Sequence, residues 1–250
     1  MPQLVFIHGP GAGGCAVAWT QQLAHFPGSL APTLPGNIEG SHCADVKDYT
    51  EWLRGWLWAQ GKHHDLVMMG YTLGSAIALQ YALDYPGEVA GIILTSIEAQ
   101  PRKDQRPFQA RQQKRLSAAS GDAAAYEEWI EFQRHHLMWV EPGLREQLVE
   151  AHRKVGPRSQ YQSLVAYSRF DVQERLPSLA PKMLLIRGDD DPGDAPQGEQ
   201  AIHESVPGSR LVRLKSAGHF PATEQPQEVN RLISEFLAES QGPGEAMLHP

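Results

Sequence analysis

The apolar run Leu66 to Met69 leads directly into Gly70-Tyr71-Thr72-Leu73-Gly74, which is followed by a second apolar stretch, Ala76 to Tyr85. The first run reads as a buried strand and the second as a buried helix, so the chain must turn sharply between them. Glycines two before and two after a central residue let the two backbones approach closely and thrust one side chain out at the tip. This is the outline of the strand-to-helix elbow G-x-S-x-G, with Thr72 where a serine is usual. A fully apolar strand feeding a helix through so tight a turn belongs to a parallel sheet covered on both faces.

The rest of the chain alternates in the same way. Leu4 to Ile7 is a strand-like run that ends in the glycine-rich loop His8-Gly9-Pro10-Gly11-Ala12-Gly13-Gly14, with a helix expected from Val17 to Phe26. Ser29 to Thr33 reads as a second strand before the turn at Leu34-Pro35-Gly36-Asn37. Asp48 to Ala59 has helical spacing, with Trp52, Trp56 and Ala59 on one face and Leu53 and Leu57 on its shoulder. Pro86 ends the helix after the elbow, and Gly91 to Thr95, Met183 to Ile186 and Arg210 to Leu214 are further strands. A last amphipathic helix spans about Pro226 to Ala238.

From Pro101 to about Leu176 the alternation stops and no strand candidate occurs. Tyr126, Trp129, Ile130, Gln133 and Leu137 share one helical face, and Leu144, Leu148, Ala151 and Val155 share another. These helices read as an inserted cap. The expected organisation is a core of residues 1–97 and 177–240, a helical cap over 98–176 and a mobile tail over 241–250. Arg102, Lys103, Arg106, Arg111, Lys114 and Arg115 make the start of the cap basic. A solvated helix face is expected there, with a site for an acidic substrate as the alternative.

Several function classes are disfavoured. The formal net charge of −7 argues against nucleic acid or an anionic membrane as partner. No apolar run is long enough to span a bilayer, and no basic-then-apolar leader is seen, so a cytoplasmic location is expected. Cys15 and Cys43 are read as free thiols. The glycine-rich loop lacks the Gly-Lys-Ser/Thr of a P-loop and the acidic ribose partner of a dinucleotide site. Asp189, Asp190, Asp191 and Asp194 read as a solvent-facing loop rather than a calcium site, so no metal and no cofactor are expected.

In alternating α/β sheets the ligand site lies at the carboxyl ends of the strands. The loop from Gly9 to Gly14, Thr72, Asp191 and His219 each follow a predicted strand. A hydroxyl, a carboxylate and an imidazole on one edge are what acyl transfer requires. The chain resembles the α/β-hydrolase fold family over about residues 3–238. The likeness rests on His8-Gly9, Gly70 to Gly74, Gly188-Asp189-Asp190-Asp191 and Gly218-His219-Phe220-Pro221, in that order.

The resemblance implies an α/β fold with a mostly parallel sheet of about six strands, flanked by helices and carrying an inserted helical cap. It implies a triad of Thr72, His219 and Asp191, with Glu98 as a fallback acid, and an oxyanion-hole N–H from Leu73. The implied activity is cofactor-free hydrolysis of a small-molecule carboxylic ester through an acyl-threonine, by a monomer or homodimer. Tyr71, Trp129, Phe132, Met138, Trp139 and Phe220 are the expected pocket linings.

Two residues depart from the family pattern. Thr72 is β-branched at a position expected to take φ > 0, where strain is on the order of 1–3 kcal/mol. Pro10 has no N–H to offer where a second oxyanion donor is expected, so Gly11 or a shifted loop must replace it. Acyl transfer to another alcohol, a lyase or cofactor-independent oxygenase built on the His219–Asp191 pair, and a non-catalytic binding protein therefore stay open.

Overall fold

A computed structural model describes residues 2–101, 104–191 and 198–240. Arg102, Lys103, Asp194 and the tail 241–250, all named above, lie outside them. The sheet is parallel throughout, with strands β1 (Gln3–Ile7), β2 (Leu66–Tyr71), β3 (Val89–Thr95), β4 (Lys182–Gly188) and β5 (Arg210–Leu214) side by side in chain order. Among the described residues there are five strands rather than about six. The expected strand at Ser29–Thr33 is reduced to one parallel bridge between Leu30 and Val5. Pro32, two residues on, has no N–H to continue a ladder.

Alternate strand residues feed two cores, as the pleat requires. Val5, Ile7, Met68, Ile92, Leu94 and Leu185 face one core with helices α2 (Val46–Ala59) and α3 (Leu73–Asp84). Phe6, Val67, Met69, Ile93, Leu184 and Ile186 face the other, with the C-terminal helix α9 (Pro226–Ser240). Helix α3 is buried from Leu73 to Ala82 on all sides, so it packs between the sheet and α2. On α2 the buried stripe is centred on Tyr49, Leu53 and Leu57; Trp52 and Trp56 pack at its margin, and Ala59 is exposed. The leucines fit the close α2–α3 contact, while the bulky indoles sit where one edge can reach solvent.

Short helices follow β1 and β5: a 3₁₀ turn at Ala16–Trp19 running into α1 (Thr20–His25), and α8 (Pro221–Glu224). Helix α7 (Gly198–Ser205) lies between β4 and β5. Between β3 and β4 stand α4 (Arg106–Ala119), α5 (Ala123–His136) and α6 (Pro142–Tyr167), which pack on one another. Helix α6 is broken at Gly156, where φ is 82° and Pro157 follows. Ala118, Trp129, Ile130, Leu137 and Leu148, from α4 to α6 and the link after α5, join the core that carries Phe6 and Met69. Cys15 and Cys43 are unpaired, and no described helix is long and apolar enough to cross a membrane.

Candidate active site

Thr72 stands between β2 and α3 with φ 50° and ψ −111°. The flanking glycines are obligatory here. A Cβ on Gly70 would fall 2.2 Å from the Gly74 carbonyl carbon, and one on Gly74 would fall 2.0 Å from the Ile7 oxygen. The strained turn is held from outside: the Thr72 amide donates to the Thr95 carbonyl at 3.1 Å. Ser75 Oγ accepts the Thr95 amide at 3.0 Å and stands 2.7 Å from the Gly70 carbonyl, to which it can donate. Such surroundings are what allow a threonine to persist at positive φ.

The loops after β4 and β5 bring the other two groups to the same edge. Their backbones nearly touch, since a Cβ on Gly188 would lie 2.1 Å from the Gly218 oxygen. Thr72 Oγ1 is 3.1 Å from His219 Nε2, and His219 Nδ1 is 3.0 and 3.1 Å from the two Asp191 carboxylate oxygens. In neutral His219 the proton belongs on Nδ1, facing the carboxylate, which leaves the Nε2 lone pair for the Thr72 hydroxyl. Burial disfavours the imidazolium, but the hydrogen bond and charge of Asp191, with Glu199 and Glu224, outweigh it and hold the His219 pKa above its ordinary value.

Two residues that carry no signal in the sequence, Ser96 and Glu224, fix the histidine loop. Ser96, at φ 53°, donates its hydroxyl to the His219 carbonyl at 2.6 Å. The Glu224 carboxylate accepts the amides of Gly218 and, at 3.1 Å, of Phe220. Glu98, the fallback acid, lines the cavity instead, with its amide donating to the Tyr167 hydroxyl at 2.9 Å.

The Leu73 N–H opens α3 and so has no carbonyl within the helix to donate to. Pro10 turns its carbonyl to Gln160, whose Nε2 donates to it at 3.0 Å. The Gly11 carbonyl accepts the Tyr71 hydroxyl at 2.7 Å, and a Cβ on Gly11 would fall 2.3 Å from Phe220 Cζ. The Gly11 N–H donates to no described residue. His8 anchors the loop: Nδ1 donates to the Gly9 carbonyl at 3.0 Å and Nε2 accepts the Leu34 amide at 2.8 Å. Burial pushes its pKa down to about 4, so it is neutral at pH 7.

A cavity of about 370 Å³ opens onto Thr72 and His219, between the strand ends and helices α4–α6. Phe132 and Phe220 line it, as do Pro10 and Gly11. Tyr71, Trp129, Met138 and Trp139 do not. Tyr71 spends its hydroxyl on the Gly11 carbonyl and packs against Trp19. Trp129 is buried, its Nε1 donating to Gln160 at 2.6 Å. Met138 and Trp139, beyond the end of α5, are about half exposed. In their place stand Arg111, Arg115, Gln160 and His136. Burial and the charge of His219 push the His136 pKa down to about 4, leaving it neutral. Among the described residues no group of three or more His, Cys, Asp or Glu is placed to hold a metal ion.

Comparison with known proteins identifies the family and the fold. A family model described as alpha/beta hydrolase family matches residues 4–232. RutD of Cronobacter sakazakii, provisionally named as a carbamate hydrolase, is 31% identical over 223 residues, 84% of this chain and 77% of that protein. The pimeloyl-[acyl-carrier protein] methyl ester esterase of Neisseria meningitidis serogroup B is 24% identical over 68% of each chain. The chain spans about two thirds of the length of the first such relatives, from 65% to 68%. A thermophilic esterase from Thermogutta terrifontis shares the fold with a TM-score of 0.81 and 21% identity, covering 96% of this chain and 90% of that one.

Proposed function

The chain belongs to the alpha/beta hydrolase family, and on that footing we propose that it hydrolyses small carboxylic esters through an acyl-threonine formed on Thr72. The observation that carries this reading is the relay from Thr72 Oγ1 through His219 to Asp191, with links of 3.1 and 3.0 Å. His219 Nε2 takes the hydroxyl proton as Thr72 Oγ1 bonds to the ester carbonyl carbon, and Asp191 steadies the imidazolium. The developing oxyanion meets the N–H groups of Leu73 and Gly11. Collapse expels the alkoxide, which takes the proton from His219. Water then attacks the acyl-threonine with the same histidine as base, returning the free hydroxyl and a carboxylic acid.

The Thr72 methyl narrows the approach to the carbonyl, which favours small or unhindered acyl groups. Helices α4–α6 act as a cap over the cavity and form the acyl or alcohol pocket. The relay lies within one chain, so a monomer or a homodimer would serve. Free Cys15 and Cys43 are consistent with a reducing cytoplasmic location. The names of the two curated relatives support a hydrolytic reaction.

The test is reaction with a fluorophosphonate, followed by peptide mapping, together with release of p-nitrophenol from acetate and butyrate esters. An adduct on Thr72 and turnover lost in Thr72→Ala are expected. Turnover that survives in Thr72→Ala would overturn the acyl-threonine and favour chemistry run by the His219–Asp191 pair alone.

A further inference from the structure

Arg115, expected on a solvated helix face, is instead buried in the cavity wall, with 8% of its surface exposed. Its described partners are neutral. Nε donates to Gln160 Oε1 at 2.9 Å, and Nη1 donates to Gln112 Oε1 at 2.9 Å. Those two amides are themselves fixed with their oxygens toward the cation. Gln112 Nε2 donates to the Tyr161 carbonyl at 3.1 Å, and Gln160 Nε2 to the Pro10 carbonyl at 3.0 Å. The Phe132 ring covers the guanidinium at 6.0 Å.

No described carboxylate pairs with Arg115, and two of its N–H bonds account for only part of a five-donor group. Burial, reinforced by the charge of Arg111 one turn away, pushes its pKa down to about 10, so it remains charged at neutral pH. A buried, unpaired cation destabilises a fold, and a stability argument does not account for it. The carboxylate that does line the cavity, Glu98, sits by Tyr167, whereas Arg115 sits by Gln160. Those two positions of α6 are about 10 Å apart along the helix axis, seven residues at roughly 1.5 Å each.

We propose that Arg115 receives a free carboxylate carried by the substrate, so that the site takes half-esters of small dicarboxylic acids. The reaction part of this rests on the ester-hydrolase reading; the carboxylate site does not. The planar fork of a guanidinium suits bidentate capture of a carboxylate, and Arg115 is held in the wall by two neutral amides that leave its charge to the ligand. Gln160 ties the recognition group to the oxyanion loop through Pro10, so anchoring one end of the substrate would register the ester against Thr72.

Two measurements test this separately from the hydrolase reading. In the first, glutarate, inorganic phosphate and neutral butyramide are titrated calorimetrically into the wild-type protein, Arg115→Gln and Arg115→Lys, with melting curves to establish that each is folded. Glutarate binding by wild type, weakened at least about tenfold in Arg115→Gln and less in Arg115→Lys, is expected. In the second, kcat/KM of wild type is compared for p-nitrophenyl butyrate and the mono-p-nitrophenyl ester of glutaric acid. A preference of about tenfold or more for the glutarate ester is expected, carried mainly by KM. Turnover of both esters without preference would overturn the carboxylate site and leave the hydrolase standing. Binding of glutarate through Arg115 without turnover of either ester would do the reverse. Phosphate binding tighter than glutarate, or no anion binding at all, would also overturn the proposal, and both can be read on the wild-type protein.

Discussion

Glu224 clasps His219 from both sides, since its carboxylate accepts the amides of the two neighbouring residues, Gly218 and Phe220. The contact sets the backbone of the histidine loop, while Ser96 fixes the carbonyl of His219 itself. It also adds a negative charge that, with Asp191 and Glu199, raises the His219 pKa against the opposing effect of burial. Position and basicity of the imidazole are thus controlled by the same side chain.

A pH profile should expose this. Protonated His219 cannot take the Thr72 proton, so kcat/KM should climb as pH rises through an apparent pKa above the ordinary 6.5. Glu224→Gln removes a charge that favours the imidazolium, so the limb should move to lower pH, with the plateau falling about tenfold from the loosened loop. Asp191→Asn should cost far more, on the order of 10⁴-fold in kcat, because the tautomer is lost. A limb that stays put in Glu224→Gln would assign Glu224 a purely packing role.

At Thr72, activity and stability should move in opposite directions. Thr72→Ala should reduce ester turnover by about 10⁴-fold or more, whereas Thr72→Ser should support it. Thr72→Gly should be inactive yet more stable by about 1–2 kcal/mol, because glycine relaxes a residue held at φ 50°. Urea unfolding checks the second effect.

Gly74→Ala should destabilise by about 3 kcal/mol or more, since the new methyl would meet the Ile7 carbonyl oxygen at 2.0 Å and rigid backbone cannot yield. Gly55→Ala, on the open side of α2 with nothing within 4 Å, is the matched control and should be neutral or slightly stabilising. Equal unfolding midpoints for the two would contradict the close approach of α3 to β1.

Acid should unfold the protein through its buried imidazoles. Burial pushes His8 down to about 4 and His152 down to about 3, the latter also repelled by Arg115. Unfolded histidines protonate near 6.5, so the unfolded state binds more protons below that pH and stability falls as pH drops from 6.5 to 4. Each group accounts for about 3 kcal/mol of that loss. Among the described residues neither ring nitrogen of His152 has a hydrogen-bond partner. His152→Leu should therefore raise stability by about 1–3 kcal/mol at neutral pH and flatten its acid dependence. Urea midpoints at pH 7 and pH 4.5 measure both.

The parts of the site that were legible in the sequence are those written in contiguous residues. Gly70 to Gly74 announces a tight turn because glycine is the only residue that fits where backbones nearly touch, and Asp191 and His219 lie in loops that follow strand-like runs, Met183 to Ile186 and Arg210 to Leu214. The aromatic residues misled. Trp129 and Tyr71 are the right size to line a pocket, but each has a polar tip that found a partner inside the fold, Gln160 for one and Gly11 for the other. Spacing along a helix likewise gave α2 an apolar stripe without showing that Leu53, rather than Trp52, would be its centre.

By itself the sequence determined the alternation of strand and helix, the elbow, and the order in which hydroxyl, carboxylate and imidazole arrive at one sheet edge, because periodicity and turn chemistry are local. Tertiary structure alone decided what surrounds them. Arg115 reads in sequence as one of a run of surface cations; packing of α4 against α6 buries it, turns two glutamine oxygens to it and opens it to the cavity. Ser96 and Glu224 gain their roles only because three loops converge. Burial and charge pairing depend on which distant segments meet, and that is a property of the folded chain rather than of any stretch of it.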